Sequence, residues 1–102
     1  MFTVKQNRIL NVATRLILSG RVQGVACRHY CSRYGRHLGL QGAASNLRDG
    51  TVEVLLNTDD RSIISSYINA VTVNTLGLTF FGHISDIETE AYQGSLGGDY
   101  EF

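Results

Sequence analysis

Apolar and polar positions follow two different periods along this chain of 102 residues, and each period predicts one type of element. The apolar run Ala13–Ser19 ends at Gly20 and predicts a buried strand. After a tight connection over Arg21–Gly24, apolar residues recur every three or four positions, as in the buried stripe of a helix. This stripe comprises Cys27, Tyr30, Cys31, Tyr34 and Leu38, and Gly39 is placed to end the helix.

A hairpin is predicted next. Strands are expected at 40–47 and 51–57, because the intervening turn Arg48-Asp49-Gly50 contains the Asp-Gly pair that favours hairpins. The second strand alternates well and should place Val52, Val54 and Leu56 on one face.

A second helix is predicted after the hairpin. Thr58 or Asp59 should cap it, and Gly77 should follow its end. Its expected buried stripe is Ile64, Tyr67, Ile68 and Val71. Two more strands are expected, at 78–87 and at 100–102.

This order, β-α-β-β-α-β, is the split βαβ or ferredoxin-like pattern of the α+β class. Two helices should therefore pack on one face of an antiparallel sheet. The length predicts a single domain, residues 1–102, with 1–11 as an N-terminal extension. The segments 1–11 and 90–99 show no clear pattern and are expected to be mobile.

Charge is divided unevenly, although the net charge is zero. The first 48 residues contain eight basic residues and no acid, whereas nine acids and one arginine follow. Interleaving the two halves in one fold would mix these charges, yet converging arginines would still favour a small anionic ligand. No apolar stretch reaches the roughly 18 residues of a membrane span, and no signal peptide is evident. With Cys27 and Cys31 expected as free thiols, this predicts a cytoplasmic protein.

The segment Gly20–Arg28, GRVQGVACR, carries the clearest chemical signal, because it joins the first strand to the first helix. Glycines let the main chain turn sharply, and the N–H groups of a helix N-terminus attract anions. Arg28, in the first turn, adds a charged donor for phosphate oxygens. From these residues alone, a phosphate site and an ordinary strand-to-helix turn are about equally favoured.

GRVQGVACR resembles the signature of acylphosphatases, in which two residues separate G-x-V-Q-G-V from the catalytic arginine. The block Gly39–Val54, GLQGAASNLRDGTVEV, resembles the second signature of that family. Asn46 stands at the place of the catalytic asparagine, 18 residues after Arg28, as in the family.

The resemblance implies an enzyme that hydrolyses acyl phosphates without metal or cofactor. Arg28 would hold the phosphate, and Asn46 would position the attacking water, so no phosphoenzyme would form. Inorganic phosphate would be the product and an inhibitor. The phosphate would also bind the main-chain amides of Arg21, Val22, Gln23, Gly24 and Val25.

Two positions depart from the family pattern. Cys27 stands where an aromatic residue usually precedes the arginine, and Ala43 stands where the family usually has Trp or Tyr. Both differences remove large apolar side chains, so other groups must fill the space.

Three alternatives can be named, of which a metal site is not expected. Cys27 and Arg33 fit the C-x5-R pattern of cysteine-dependent phosphatases, although the stretch between them lacks glycine. Cys27, His29 and Cys31 suggest a metal, but His29 would lie on another face of the helix. A non-catalytic module binding phosphate or a partner is the third alternative. No aromatic RNA-binding signature is present, so nucleic acid is not expected, and a monomer is favoured.

Overall fold

The computed structural model describes residues 12–102, which form five strands and two helices. In chain order these are β1 (Val12–Arg21), α1 (Cys27–His37), β2 (Gly42–Asn46), β3 (Val52–Leu56), α2 (Arg61–Val73), β4 (His83–Gln93) and β5 (Tyr100–Glu101). The strands pair antiparallel in the order β4-β1-β3-β2-β5. The predicted ferredoxin-like α+β fold is confirmed.

The core lies between this sheet and the two helices. Leu16 and Leu18 of β1 stand opposite Val54 and Val52 of β3, and all four are fully buried. Two buried tyrosines join the helices, since the hydroxyl of Tyr30 donates to the main-chain oxygen of Val71 at 2.7 Å, and that of Tyr67 donates to Cys31 at 2.8 Å. The helices are therefore fixed to each other as well as to the sheet.

The start of α2 differs from the prediction of Thr58 or Asp59 as its cap. Asp60 is the N-cap, and its carboxylate accepts hydrogen bonds from the N–H groups of Ser62 and Ile63. The Thr58 hydroxyl instead accepts from the N–H of Asp60 at 3.0 Å. The cap is Asp60 because its carboxylate reaches the first free N–H groups of the helix.

The last long strand also differs from the prediction of 78–87. β4 runs over His83–Gln93, and Glu90–Gln93 pair with Val12–Arg15 of β1. The expected mobility of 90–99 is therefore wrong for 90–93, whereas residues 1–11 lie outside the described part of the chain. Most of this edge strand is exposed, so its sequence lacks the apolar alternation that marks a half-buried strand.

The end of α1 differs by one residue. Leu38, expected in the buried stripe, follows the helix and is exposed. Within residues 12–102, neither helix is long and apolar enough to cross a membrane.

Candidate active site

The loop between β1 and α1 is anchored by its two valines. Val22 and Val25 are buried in the core cluster, whereas Gly24 between them is exposed and has a φ of +74°. A left-handed conformation at this position favours glycine. Arg21, predicted in the connection, is the exposed last residue of β1 and pairs with His83. The irregular loop therefore begins at Val22.

The main-chain N–H groups of residues 23–28 are not used as donors within the part of the fold that the structure describes. Within residues 12–102 none of them donates a hydrogen bond to another group. Ala26, the N-cap of α1, has a φ of +68° and provides no side-chain cap. Free N–H groups at a helix N-terminus, together with the helix dipole, favour binding of an anion.

Gln23 ties this loop to the hairpin that follows Asn46. Its side-chain amide donates to the main-chain oxygens of Leu47 at 2.7 Å and of Thr51 at 2.9 Å. The side chain is thus occupied with positioning, and only the main chain of Gln23 remains for a ligand. This bridge holds the two signature blocks side by side.

Arg28 is held by two residues at the start of β5. Its Nη1 donates to Oδ2 of Asp99 at 3.1 Å, and its guanidinium carbon lies 5.1 Å from the centre of the Tyr100 ring. The Arg28 side chain is 34% exposed, so it remains accessible to a solute. A guanidinium fixed by an ion pair and an aromatic ring loses little further freedom when it binds phosphate.

Asn46 ends β2 beside Arg28. Its main-chain N–H donates to the same Oδ2 of Asp99, at 3.0 Å. Its side-chain Oδ1 is buried and accepts no hydrogen bond from the residues that the structure describes. A buried acceptor without a donor costs about 1–3 kcal/mol, and such groups are often retained for function.

The structure therefore brings together the two predicted catalytic residues. One carboxylate oxygen of Asp99 contacts both Arg28 and Asn46, although the three residues are far apart in the sequence. These two donors hold the pKa of Asp99 below its ordinary value, the Asn46 N–H first and the Arg28 guanidinium second. Sequence reasoning missed Asp99 and Tyr100, because neither belongs to a recognisable motif.

Ala43 and Cys27, the two positions that depart from the family pattern, have different surroundings. A Cβ atom built on Gly98 would lie 3.0 Å from the Cβ of Ala43 and would collide with the hydroxyl of Ser45, so the main chain at Gly98 packs closely on β2. A large side chain at Ala43 would exclude that approach. Cys27 is buried with its Sγ 3.8 Å from that of Cys31.

The cysteine-phosphatase alternative is not supported by this geometry. The hydrogen bond to Cys31 lowers the pKa of the Cys27 thiol, but Cys27 is only 2% exposed and its thiol, at the first residue of α1, is buried against Cys31. Arg33 is exposed, six residues further along the same helix. Among residues 12–102, no group of three His, Cys, Asp or Glu side chains is placed to hold a metal ion.

Comparison with known proteins identifies the family. The family model described as acylphosphatase matches residues 14–97. The chain is 33% identical over 81 residues to the acylphosphatase of Petrotoga mobilis. This alignment covers 79% of this chain and 85% of that protein. Its match to the acylphosphatase of Deinococcus radiodurans is 49% identical but covers 46% of this chain and spans only about half of that relative, 54%.

Solved structures show the same fold. The crystal structure of acylphosphatase from Bacillus subtilis superimposes with a TM-score of 0.66 at 26% identity, over 87% of this chain and 93% of that one. An acylphosphatase from Coxiella burnetii gives 0.63 at 24% identity, over 97% and 94%. These matches support the predicted enzyme class, an acylphosphatase hydrolase. With the family model matching well over half of its length, the chain belongs to the acylphosphatase family.

Proposed function

We propose that this protein hydrolyses acyl phosphates to a carboxylate and inorganic phosphate, with Arg28 and Asn46 as its catalytic residues. The observation that carries the proposal is the meeting of Arg28 and Asn46 at one anionic oxygen, beside a loop whose N–H groups are free. Basic and N–H donors converging on one small region are what a phosphoryl group requires.

The phosphate would bind at the N-terminus of α1. The Arg21–Val25 segment would supply main-chain N–H groups, chiefly those from Gln23 onward, and Arg28 would contact the phosphate oxygens from the first helical turn. In this position the positive end of the helix dipole and the guanidinium both stabilise the charge of the transferring group.

Asn46 would orient the attacking water. Its side-chain oxygen has no donor among the described residues but is buried, so the side-chain amide would have to rotate to present that oxygen to the water. The water oxygen forms a bond to phosphorus while the bond from phosphorus to the carboxylate oxygen breaks. Because a carboxylate is a good leaving group, the protein need not protonate it, and catalysis rests on positioning and charge stabilisation.

Inorganic phosphate, as product, would compete for the same donors. Two free thiols 3.8 Å apart suit a reducing compartment, which favours a cytoplasmic location. We expect the protein to act as a monomer on a small-molecule substrate, without a metal or cofactor.

Hydrolysis of benzoyl phosphate by the purified protein, with EDTA present, tests the function. Arg28→Ala should reduce kcat by about 10²–10³, the usual effect of removing a preorganised donor to developing charge. Asn46→Ala should reduce activity severely. Arg33→Ala, which removes an exposed arginine of α1, and Asn69→Ala, which removes an exposed asparagine of α2, are the matched controls and should remain active.

The non-catalytic alternative predicts a different result. A folded wild type that binds inorganic phosphate but releases no benzoate would be a phosphate-binding module. Equal losses in the Arg28 and Arg33 variants would contradict the assigned role of Arg28.

A further inference from the structure

Asp99 is the link between the two proposed catalytic residues. Its Oδ2 accepts hydrogen bonds from the Arg28 guanidinium at 3.1 Å and from the Asn46 main-chain N–H at 3.0 Å. Hydrogen bonds that involve a charged partner are about twice as strong as neutral ones. A single side chain therefore fixes the distance between a donor on α1 and the end of β2.

Asp99 is itself held in place from β2. Its main-chain N–H donates to the hydroxyl of Ser45 at 2.9 Å, and the preceding Gly98 packs against Ala43 and Ser45. The side chain at residue 43 is only a methyl group, which leaves room for this approach. The carboxylate is thus attached to the sheet by its own main chain.

The next residue completes the support of Arg28. The Tyr100 ring lies under the guanidinium, and Tyr100 pairs with Ala44 where β5 joins β2. Asp99 contacts one terminal nitrogen of Arg28, and no other hydrogen bond from this guanidinium is made within residues 12–102. The other N–H groups of the fork therefore stay free for a phosphate.

We propose that Asp99 is a positioning residue, which holds Arg28 and Asn46 in the relative geometry needed for acyl-phosphate hydrolysis. The inference rests on the proposed function and adds a third group to it. Asp99 would not contact the reacting atoms. Its negative charge opposes binding of an anion, so its benefit must come from geometry and should be seen in kcat rather than in KM.

The test compares kcat and KM for benzoyl phosphate in Asp99→Ala, Asp99→Asn and Ser45→Ala. Asp99→Ala should lower kcat about tenfold to a hundredfold, the scale of a small misplacement of catalytic groups, while KM stays equal or falls. Asp99→Asn should recover part of kcat, because its side-chain oxygen can still accept both hydrogen bonds. Ser45→Ala keeps the carboxylate but releases its anchor, and should show an intermediate loss.

Glu88→Gln removes an exposed carboxylate from β4 and serves as the control, with kcat unchanged. Circular dichroism melting shows whether each variant is folded. If Asp99→Ala does not fold, the kcat of Ser45→Ala supplies the test. Wild-type kcat in both Asp99→Ala and Ser45→Ala would overturn the inference. A lower KM with unchanged kcat would also overturn it, because Asp99 would then only compete with the anion.

The two proposals can fail separately. If the wild type and Asp99→Ala both hydrolyse benzoyl phosphate at the same rate, Asp99 has no positioning role and the proposed function stands. A folded wild type without hydrolysis removes the proposed function and the inference that rests on it.

Discussion

The side-chain amide of Gln23 donates a hydrogen bond to the main-chain oxygen of Leu47, 24 residues further along the chain, at 2.7 Å. The same nitrogen reaches Thr51 on the other side of the hairpin at 2.9 Å. The glutamine of the first signature therefore acts on the second signature. It sets the distance between the loop that joins β1 to α1 and Asn46, which immediately precedes Leu47.

Replacing Gln23 tests this link. Gln23→Ala should lower the free energy of unfolding by about 1 kcal/mol, because two partly buried hydrogen bonds are lost while the carbonyl groups of Leu47 and Thr51 each keep a main-chain donor. It should also lower kcat for benzoyl phosphate by about tenfold, since the loop and Asn46 are no longer fixed together. Urea unfolding and steady-state kinetics measure the two effects. Gln41→Ala, at an exposed glutamine, is the control, and an equal loss there would contradict the argument.

Ala26 holds a left-handed conformation, with a φ of +68°, at an exposed position before α1. A side chain in this region is strained by about 1 kcal/mol, and a β-branched one by more. Ala26→Gly should therefore raise the free energy of unfolding by up to about 0.5 kcal/mol, after the greater flexibility of glycine in the unfolded state is allowed for. Ala26→Val should lower it by at least about 1 kcal/mol. Urea midpoints check both, and a more stable Val variant would contradict this explanation.

Cys27 is a packing residue in this structure, buried against Cys31. Cys27→Ser should lower stability by about 1–2 kcal/mol, because a hydroxyl is harder to bury than a thiol. Its kcat should stay within about threefold of wild type, since the thiol has no part in the proposed reaction. Complete loss of activity from a folded Cys27→Ser protein would return the cysteine-phosphatase mechanism to consideration.

The cap of α2 predicts a dependence of stability on pH. Hydrogen bonds from the Ser62 hydroxyl and from the N–H groups of Ile63 and Ser62 hold the pKa of Asp60 below its ordinary value. A lowered native pKa stabilises the fold above the unfolded pKa of about 3.9, and this contribution disappears as the pH falls through the native value.

Asp60→Asn should therefore lose less stability between pH 7 and about pH 3 than the wild type does, because asparagine still caps the helix but carries no charge. Urea midpoints at the two pH values measure the difference. Asp59→Asn, next to the cap, is the control and should follow the wild type. Identical pH dependence of the wild type and Asp60→Asn would contradict the role given to the Asp60 charge.

The order of elements could be predicted from the sequence because buried faces impose a period on the apolar residues. The helix stripe around Tyr30 and the alternation at Val52 and Val54 both correspond to buried positions. The periodicity of apolar residues did not predict the element correctly where few of its side chains are buried. β4 was placed too early, since most of it is exposed and its later residues are polar. The boundary of α2 was missed because Thr58, Asp59 and Asp60 are chemically similar caps, and only the path of the main chain selects one.

For the site, the sequence by itself was enough to identify the family and to select the loop after β1 and the pair Arg28 and Asn46 as candidates, because their spacing is local to two short blocks. Only the tertiary structure decided what holds these groups together. Asp99 reaches them because β5 pairs with β2 and Gly98 packs over Ala43. A contact between residues 71 positions apart leaves no period or motif in the sequence, since it depends on how the strands are arranged in the sheet.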